Sequence, residues 1–488
     1  MKHLKGFIGE TIVYGFANVF SRVFAMLLIP LYVGILSKNE YSNLVMLQSF
    51  FVIMSFALML TSGVFYYYYE YERIKYRKII FTSWFYYQLT AASILIGLTV
   101  FFIPQISSVF IETAHNSEQL YYAILAVGLQ FLPYIVNSTN INLYRIDRKP
   151  GMVLVIVFLE ALFTLLIVAG GLTYYDFNIV GILMSQFVSR TLVALIFVKK
   201  ASFYMNFMFY SRQMMVKLMK FSWPYFVISI FTWAIISLDK FIGAGALNNK
   251  DHIAFLALAM QITIPIAILS DMIRMSIGPF IMSIRKDKDA DESYQRIFDL
   301  SVYSGFGVLM LILFCAPYLI EILSNETFLP AIRVIPLIAM GSVISIMANQ
   351  FMISFALVKK NALILIATVA GGIVGATINI LFMSNHGFII SGVAQIAAFT
   401  SMAIILFLLG KKKTNLNINL KAAISMMIVA GGVILVIYSD MEHILKQNYN
   451  LLWTATISGA ILLTVVYLTL QKVSIRQLVR ALQRKKNG

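Results

Sequence analysis

The sequence predicts an all-α integral membrane protein of about fourteen membrane-spanning helices with both termini on the cytoplasmic side. Three observations predict it: the composition, the length of the apolar runs, and the one-sided placement of basic residues between those runs. Hydrophobic residues fill 60% of the 488 positions and charged residues 12%, with a mean hydropathy of +0.84. An ordinary soluble domain carries roughly twice that charged share. No water-soluble fold of this length has enough polar surface to cover such a core. In lipid the backbone must satisfy its own hydrogen bonds, which leaves helices or a closed barrel. Runs such as 152–172 and 422–437 are near helix-spanning length and lack the alternation of a barrel strand.

The first element begins Met-Lys-His-Leu-Lys and then turns apolar, as a secretory signal does. The run from 7 to 35 is too long for one, is interrupted by Asn18 and Arg22, and has no clear small-residue cleavage site, so it reads as a retained first helix. A window of about 19 residues then places segments near 8–35, 41–66, 80–104, 119–142, 152–172, 178–198 and 221–247. It continues with 253–273, 298–320, 331–356, 361–383, 387–409, 420–438 and 450–470. If the N-terminus is inside, thirty-one Lys and Arg residues fall in inside segments and only Lys38, Lys250 and Lys446 outside. Positive charge is retained on the cytoplasmic side, so this asymmetry orients the chain and checks the helix count.

The chain also repeats itself at an offset of 211 residues. Leu36-Ser-Lys-Asn-Glu40 faces Leu247-Asn-Asn-Lys-Asp251, Ile74-Lys-Tyr-Arg77 faces Arg285-Lys-Asp-Lys288, and Asp147-Arg-Lys149 faces Val358-Lys-Lys360. Six helices per copy give both copies one orientation, as in parallel repeats with a substrate path between them. The expected organisation is a six-helix lobe over 1–205, a second over 206–412, a central cavity, and two appended helices with a basic tail over 413–488.

Several function classes are excluded. The net charge of +17 lies in loops between apolar runs, which argues for membrane topology and against nucleic acid. The loops have no room for a soluble catalytic domain, and no G-x-x-x-x-G-K-[ST] phosphate loop is present. A single cysteine, Cys315, excludes an intrachain disulfide and a multi-cysteine metal site. No cofactor and no metal site are expected. Past Gln471, Val473, Ile475, Leu478, Val479 and Leu482 alternate with basic residues, which reads as an amphipathic helix on anionic lipid.

Polar residues inside the spans are the candidate site, because a charge at the bilayer centre costs roughly 2.5–3.5 kcal/mol on insertion scales. In the first helix Glu10, Tyr14, Asn18, Ser21 and Arg22 share one face, lining either a cavity or a polar helix seam. Helix 7, the equivalent of helix 1 in the second repeat, carries Asp239 and Lys240. Their side chains leave the helix about 100° apart, which argues against simple mutual neutralisation. Glu160 and Arg190, in helices 5 and 6, either pair with each other or serve the cavity. Asp271 and Arg274 form an i, i+3 pair below a break expected at Pro265. Asn137, Ser138, Asn140, Ser345, Asn349 and Gln350 are either seams or sugar contacts.

The order of short motifs adds a resemblance. Asn18-Val-Phe-Ser-Arg22, Ile29-Pro-Leu31, Glu40-Tyr41, Phe221-Ser-Trp-Pro224 and Ser237-Leu-Asp-Lys-Phe-Ile-Gly243, on a plan of twelve helices plus two, resemble the polysaccharide exporters of the multidrug/oligosaccharidyl-lipid/polysaccharide (MOP) superfamily. Within that superfamily the chain is similar to the O-antigen, Wzx-type flippases, although Ser42 stands where those often have glycine. The resemblance implies a transporter, not an enzyme, in a bacterial inner membrane. It implies that an undecaprenyl-pyrophosphate-linked oligosaccharide is moved between leaflets by alternating access. Arg22, Asn18, Lys240 and Arg190 would line the substrate cavity. Asp239, and secondarily Asp271 or Glu160, would link transport to H+ or Na+. Membrane lipids and other polysaccharide assembly proteins are the expected partners. The alternatives are a drug/cation antiporter or a lipid II flippase of the same superfamily, and a membrane polymerase or ligase of polysaccharide assembly.

Overall fold

The computed structural model describes residues 23–58, 64, 67, 74–108, 110, 117–147, 149–174, 177–247, 251–273, 290–357, 361–413 and 418–470. Among these every regular element is helical. Among the described residues eleven helices are long and apolar enough to cross a membrane, and a bent pair, 251–262 with 264–273, makes twelve if it is counted as one span. The other two expected segments coincide with a shorter apolar helix, Val23–Ile35, and with Lys38–Phe56. The chain is a multi-pass membrane protein.

Its contacts divide it into two units. The first comprises Met1–Ala257, Leu323–Asn325 and Asn379–Phe388; the second comprises Leu258–Ile322, Glu326–Ile378 and Ile389–Gly488. In chain order the helices are α1 (Val23–Ile35), α2 (Lys38–Phe56), α3 (Ile74–Phe101), α4 (Ser117–Leu129), α5 (Phe131–Ile146), α6 (Pro150–Tyr174), α7 (Ile179–Ser202), α8 (Arg212–Ala246) and α9 (Asp251–Ile262). They continue as α10 (Ile264–Ile273), α11 (Ala290–Leu323), α12 (Ile335–Leu357), α13 (Asn361–His386), α14 (Ile389–Lys413), α15 (Lys421–Ser439) and α16 (Asn450–Leu470).

Local chemistry sets the helix ends. Ser37 and Glu40 start α2 with a reciprocal capping box: the Glu40 amide donates to Ser37 Oγ at 3.3 Å and the Ser37 amide to Glu40 Oε2 at 2.9 Å. Asn178 Oδ1 accepts the amides of Val180 and Gly181 at the start of α7. The 43° bend between α9 and α10 falls beside Pro265, whose ring crowds the preceding turn and whose nitrogen donates nothing.

In the first unit, Ile80, Phe81 and Trp84 of α3, Leu143 and Ile146 of α5, and Met214 and Leu218 of α8 form one buried cluster. Lipid tails offer no hydrophobic drive for helix association, so close backbone approach carries more of the packing. The second unit uses this at Gly392 of α14, where a Cβ would lie 2.4 Å from Leu337 Cβ of α12. Gly371 of α13 does the same against α14, since a Cβ there would lie 2.8 Å from the carbonyl oxygen of Ala398.

Hydrogen bonds also recur at positions related by 212 residues, one more than the 211 of the sequence matches, with the donor and acceptor helices exchanged in the first pair. Gln130, just before α5, donates to Leu183 O of α7 at 3.1 Å; Gln395 of α14 donates to Ser342 Oγ of α12 at 3.4 Å, and each pair is separated by 53 residues. Gln130 and Ser342, like Leu183 and Gln395, stand 212 positions apart. Ser83 and Gln295 are also 212 apart, and each fastens the connector after its sixth helix, accepting the amide of Ser211 at 3.0 Å and of Asn419 at 2.7 Å.

The last two helices pack on each other and on α11. Tyr303 stacks on Tyr467 with centroids 4.3 Å apart, its hydroxyl lies 3.1 Å from Thr464 Oγ1, and Tyr318 stacks on Trp453 at 5.8 Å. A Cβ on Gly459 would lie 3.2 Å from Met310 Sδ.

Candidate functional site

Within the first unit, α5, α6 and α7 converge on one guanidinium. Arg190 of α7 donates from Nε to Glu160 Oε1 of α6 at 2.8 Å and from Nη1 to Gln130 Oε1 at 2.5 Å. Its guanidinium carbon lies 4.3 Å from the centroid of the Phe51 ring, which stacks on Phe131 and meets Tyr134 edge-on. Even its main chain is engaged, since Asn137 Nδ2 donates to Arg190 O at 3.0 Å. Ser185 and Ser189 fold their hydroxyls back onto their own helix, which keeps α7 slim where α5 approaches.

This box holds Arg190 on two of its three nitrogens. Arg190 Nη2 and Glu160 Oε2 have no hydrogen-bond partner among the described residues, and the two side chains retain 18% and 27% of their exposure. Of the two readings open for this pair, the structure brings the residues together. A paired guanidinium with one free edge can still accept an oxyanion, because its five donors lie in one planar fork.

Asp239 and Lys240 of α8 are buried, each 3% exposed. Here the structure corrects the expectation that adjacent residues on a helix do not neutralise each other. Lys240 Nζ lies 3.6 Å from Asp239 Oδ1 and 3.3 Å from Ile236 O, and the Lys240 amide donates to the same carboxylate oxygen at 2.8 Å. The flexible four-carbon stem curls back across the angle that separates the two Cβ atoms.

Asp271 sits half-buried on α10 beyond the bend, whereas its expected partner Arg274 lies outside the described residues. Asn18 and Arg22 lie outside them as well. Asn137, Asn140 and Asn142 of α5 are buried; the Thr139 hydroxyl of the same helix donates to Gln88 Oε1 of α3 at 3.2 Å, and Asn142 Nδ2 donates to Ser138 O one turn back at 2.8 Å. Asn349 of α12 donates to Ser270 Oγ at 3.2 Å.

Two residues escaped the sequence reading. Gln130 is the second protein partner of Arg190, and its signal was available: Gln130, Tyr134, Asn137 and Ile141 recur at helical spacing and share a face. Asp299 is 5% exposed within α11 and accepts from Gln295 Nε2 at 2.9 Å; it stands at the edge of the 298–320 window and was not singled out there.

Comparisons with known proteins bear on the fold. No family model matches the sequence, and no curated protein matches it. Solved structures do match. A structure of the lipid II flippase MurJ in an inward closed conformation aligns with a TM-score of 0.69 at 15% identity, covering 96% of this chain and 100% of that one. An inward-facing multidrug resistance MATE family transporter of the MOP superfamily aligns at 0.70 and 12% identity, covering 83% of this chain and 98% of its own. A MOP superfamily transporter from Pyrococcus furiosus, described as having a binding pocket of reversed polarity, aligns at 0.60 and 13%, covering 84% and 96%. The chain has their fold. It is the two-lobe helical fold of MOP superfamily transporters and flippases.

Proposed function

We propose that this chain is a flippase that moves an undecaprenyl-pyrophosphate-linked oligosaccharide of the O-antigen or capsule type across a bacterial inner membrane. The observation that carries the reading is Arg190, a guanidinium within a membrane span that keeps one nitrogen uncommitted beside a carboxylate. A pyrophosphate oxygen can be taken by Nη2 while Nε stays on Glu160, so the cation is shared between the substrate and the carboxylate. Glu160 then holds the guanidinium in place and keeps its free edge turned out, and it is one of the carboxylates proposed for coupling to H+ or Na+. Arg22, Asn18 and Lys240 extend the polar lining in this proposal, and Asp239 and Asp271 are the further carboxylates available for H+ or Na+. Each elementary charge moved through 100 mV supplies about 2.3 kcal/mol.

Coverage supports the lipid-linked class of cargo. The flippase structure spans 96% of this chain and the MATE structure 83%, and the remainder matches in size the segment from residue 413 onward. The basic residues gathered in alternate loops support cytoplasmic termini.

The test is leaflet sidedness of the lipid-linked oligosaccharide in cells lacking the protein. Accumulation on the cytoplasmic face, reversed by the wild-type gene and not by Arg190→Ala at equal abundance, is expected. Normal sidedness with unchanged surface polysaccharide refutes the proposal. The same MurJ match favours a second reading, in which the cargo is lipid II itself; accumulation of lipid II in place of the polysaccharide intermediate would establish it.

A further inference from the structure

The connector between α7 and α8 is built from the wrong residues for a loop in water. Residues 203–210 read Phe-Tyr-Met-Asn-Phe-Met-Phe-Tyr, with five aromatic rings, two methionines and one amide. Phe203 is 58% exposed, Phe207 63% and Met208 88%. Exposed singly these would mean little, but three within six residues make a patch.

The patch is held outward by construction. Asn206 Oδ1 caps the short 3-10 helix Phe207–Phe209 by accepting the Met208 amide at 3.0 Å. Tyr86 of α3 donates its hydroxyl to Met205 O at 2.6 Å and meets Phe207 edge-on at 5.0 Å, while Phe207 stacks on Tyr210 at 5.3 Å. Lys78 Nζ sits 4.1 Å over the Phe203 ring and 4.2 Å over the Phe209 ring. Such a segment has little freedom to fold its apolar tip inward.

Its flanks are basic, with Asp147, just past α5, paired to Lys200 at the end of α7. Lys199 at the end of α7 and Arg212 and Lys220 at the start of α8 are exposed. No acidic residue occurs between Asp176 and Asp239. An apolar, aromatic tip ringed by cations, at the ends of two membrane spans, complements an anionic bilayer surface: rings at headgroup depth, cations at the phosphates.

We infer that residues 203–210 form an interfacial anchor that binds the headgroup region of an anionic phospholipid bilayer. The anchor fastens the junction of the two sequence repeats at a fixed depth, and it is independent of the cargo that the protein carries.

The test uses the full chain with Cys315→Ala and Met208→Cys, labelled with the fluorophore NBD and reconstituted in nanodiscs of phosphatidylcholine with or without phosphatidylglycerol. Phosphatidylglycerol is expected to shift the emission to the blue, to remove most quenching by aqueous iodide, and to allow quenching by lipid spin-labelled near the headgroup. Adding Lys199→Gln, Arg212→Gln and Lys220→Gln is expected to abolish that lipid dependence while the chain still elutes as a monodisperse species. A label equally open to iodide in both lipids overturns the inference. So does a label equally shielded in both lipids and in the charge-neutralised variant, since burial without headgroup recognition is a different property.

Discussion

The ion pair between Glu160 and Arg190 makes the sharpest energetic prediction. Glu160→Gln keeps the shape of the side chain and leaves an oxygen to accept from Arg190 Nε, so it removes charge and little else. Arg190→Gln removes the guanidinium, its bond to Gln130 and its contact with Phe51. With side chains 18% and 27% exposed, the pair lies between exposed pairs, worth about 0–1 kcal/mol, and buried ones, whose breaking costs about 3–5 kcal/mol. The coupling from a double-mutant cycle should therefore fall at about 1–3 kcal/mol, with the double variant less destabilised than the sum of the singles. Equilibrium unfolding in mixed detergent micelles, followed by tryptophan fluorescence, measures it. Single effects that add to within about 0.3 kcal/mol would refute the argument, because independent sites add to that precision.

Three further outcomes are expected. Gly371→Leu forces a side chain against the Ala398 carbonyl, so it should cost about 1–3 kcal/mol or more and lower the thermal midpoint; an unchanged midpoint would mean that α13 and α14 separate freely. Lys240→Met takes away the ammonium 3.6 Å from the buried Asp239 and should destabilise the chain in the same unfolding assay, and Lys240→Met with Asp239→Leu should be less destabilised than the sum of the two single variants by about 0.5 kcal/mol or more; additive effects would mean that the two charges act independently. Ser37→Ala removes the capping oxygen of α2 and should cost about 1 kcal/mol, read as a midpoint shift; no shift would mean that water replaces the cap without penalty.

The apolar runs and the alternation of basic loops made the helix plan legible, because in lipid both are imposed by the solvent. Boundaries were less so. α11 begins at Ala290, eight residues before the apolar window, because Asp291, Glu292 and Gln295 depress hydropathy without breaking a helix. That error left Asp299 in the first turn of the expected segment, when it lies nine residues into the helix. The pairing of Glu160 with Arg190 was open to inspection, since opposite charges in consecutive helices are best placed together. Gln130 was missed because attention to charge passes over amides, although its spacing from Asn137 was in view. The Asp239 and Lys240 pair was misjudged because helical angles describe Cβ directions and say little about where a long side chain ends.

The tyrosine pair that keys α16 to α11 constrains what the molecule can become. A shortened chain without its final two helices would turn Tyr303 and Met310 from contact surface into lipid-facing surface, and the Tyr303 hydroxyl would lose Thr464 in a solvent that offers no replacement. The C-terminal pair is thus no detachable ornament. Its removal would demand rewriting one whole face of α11.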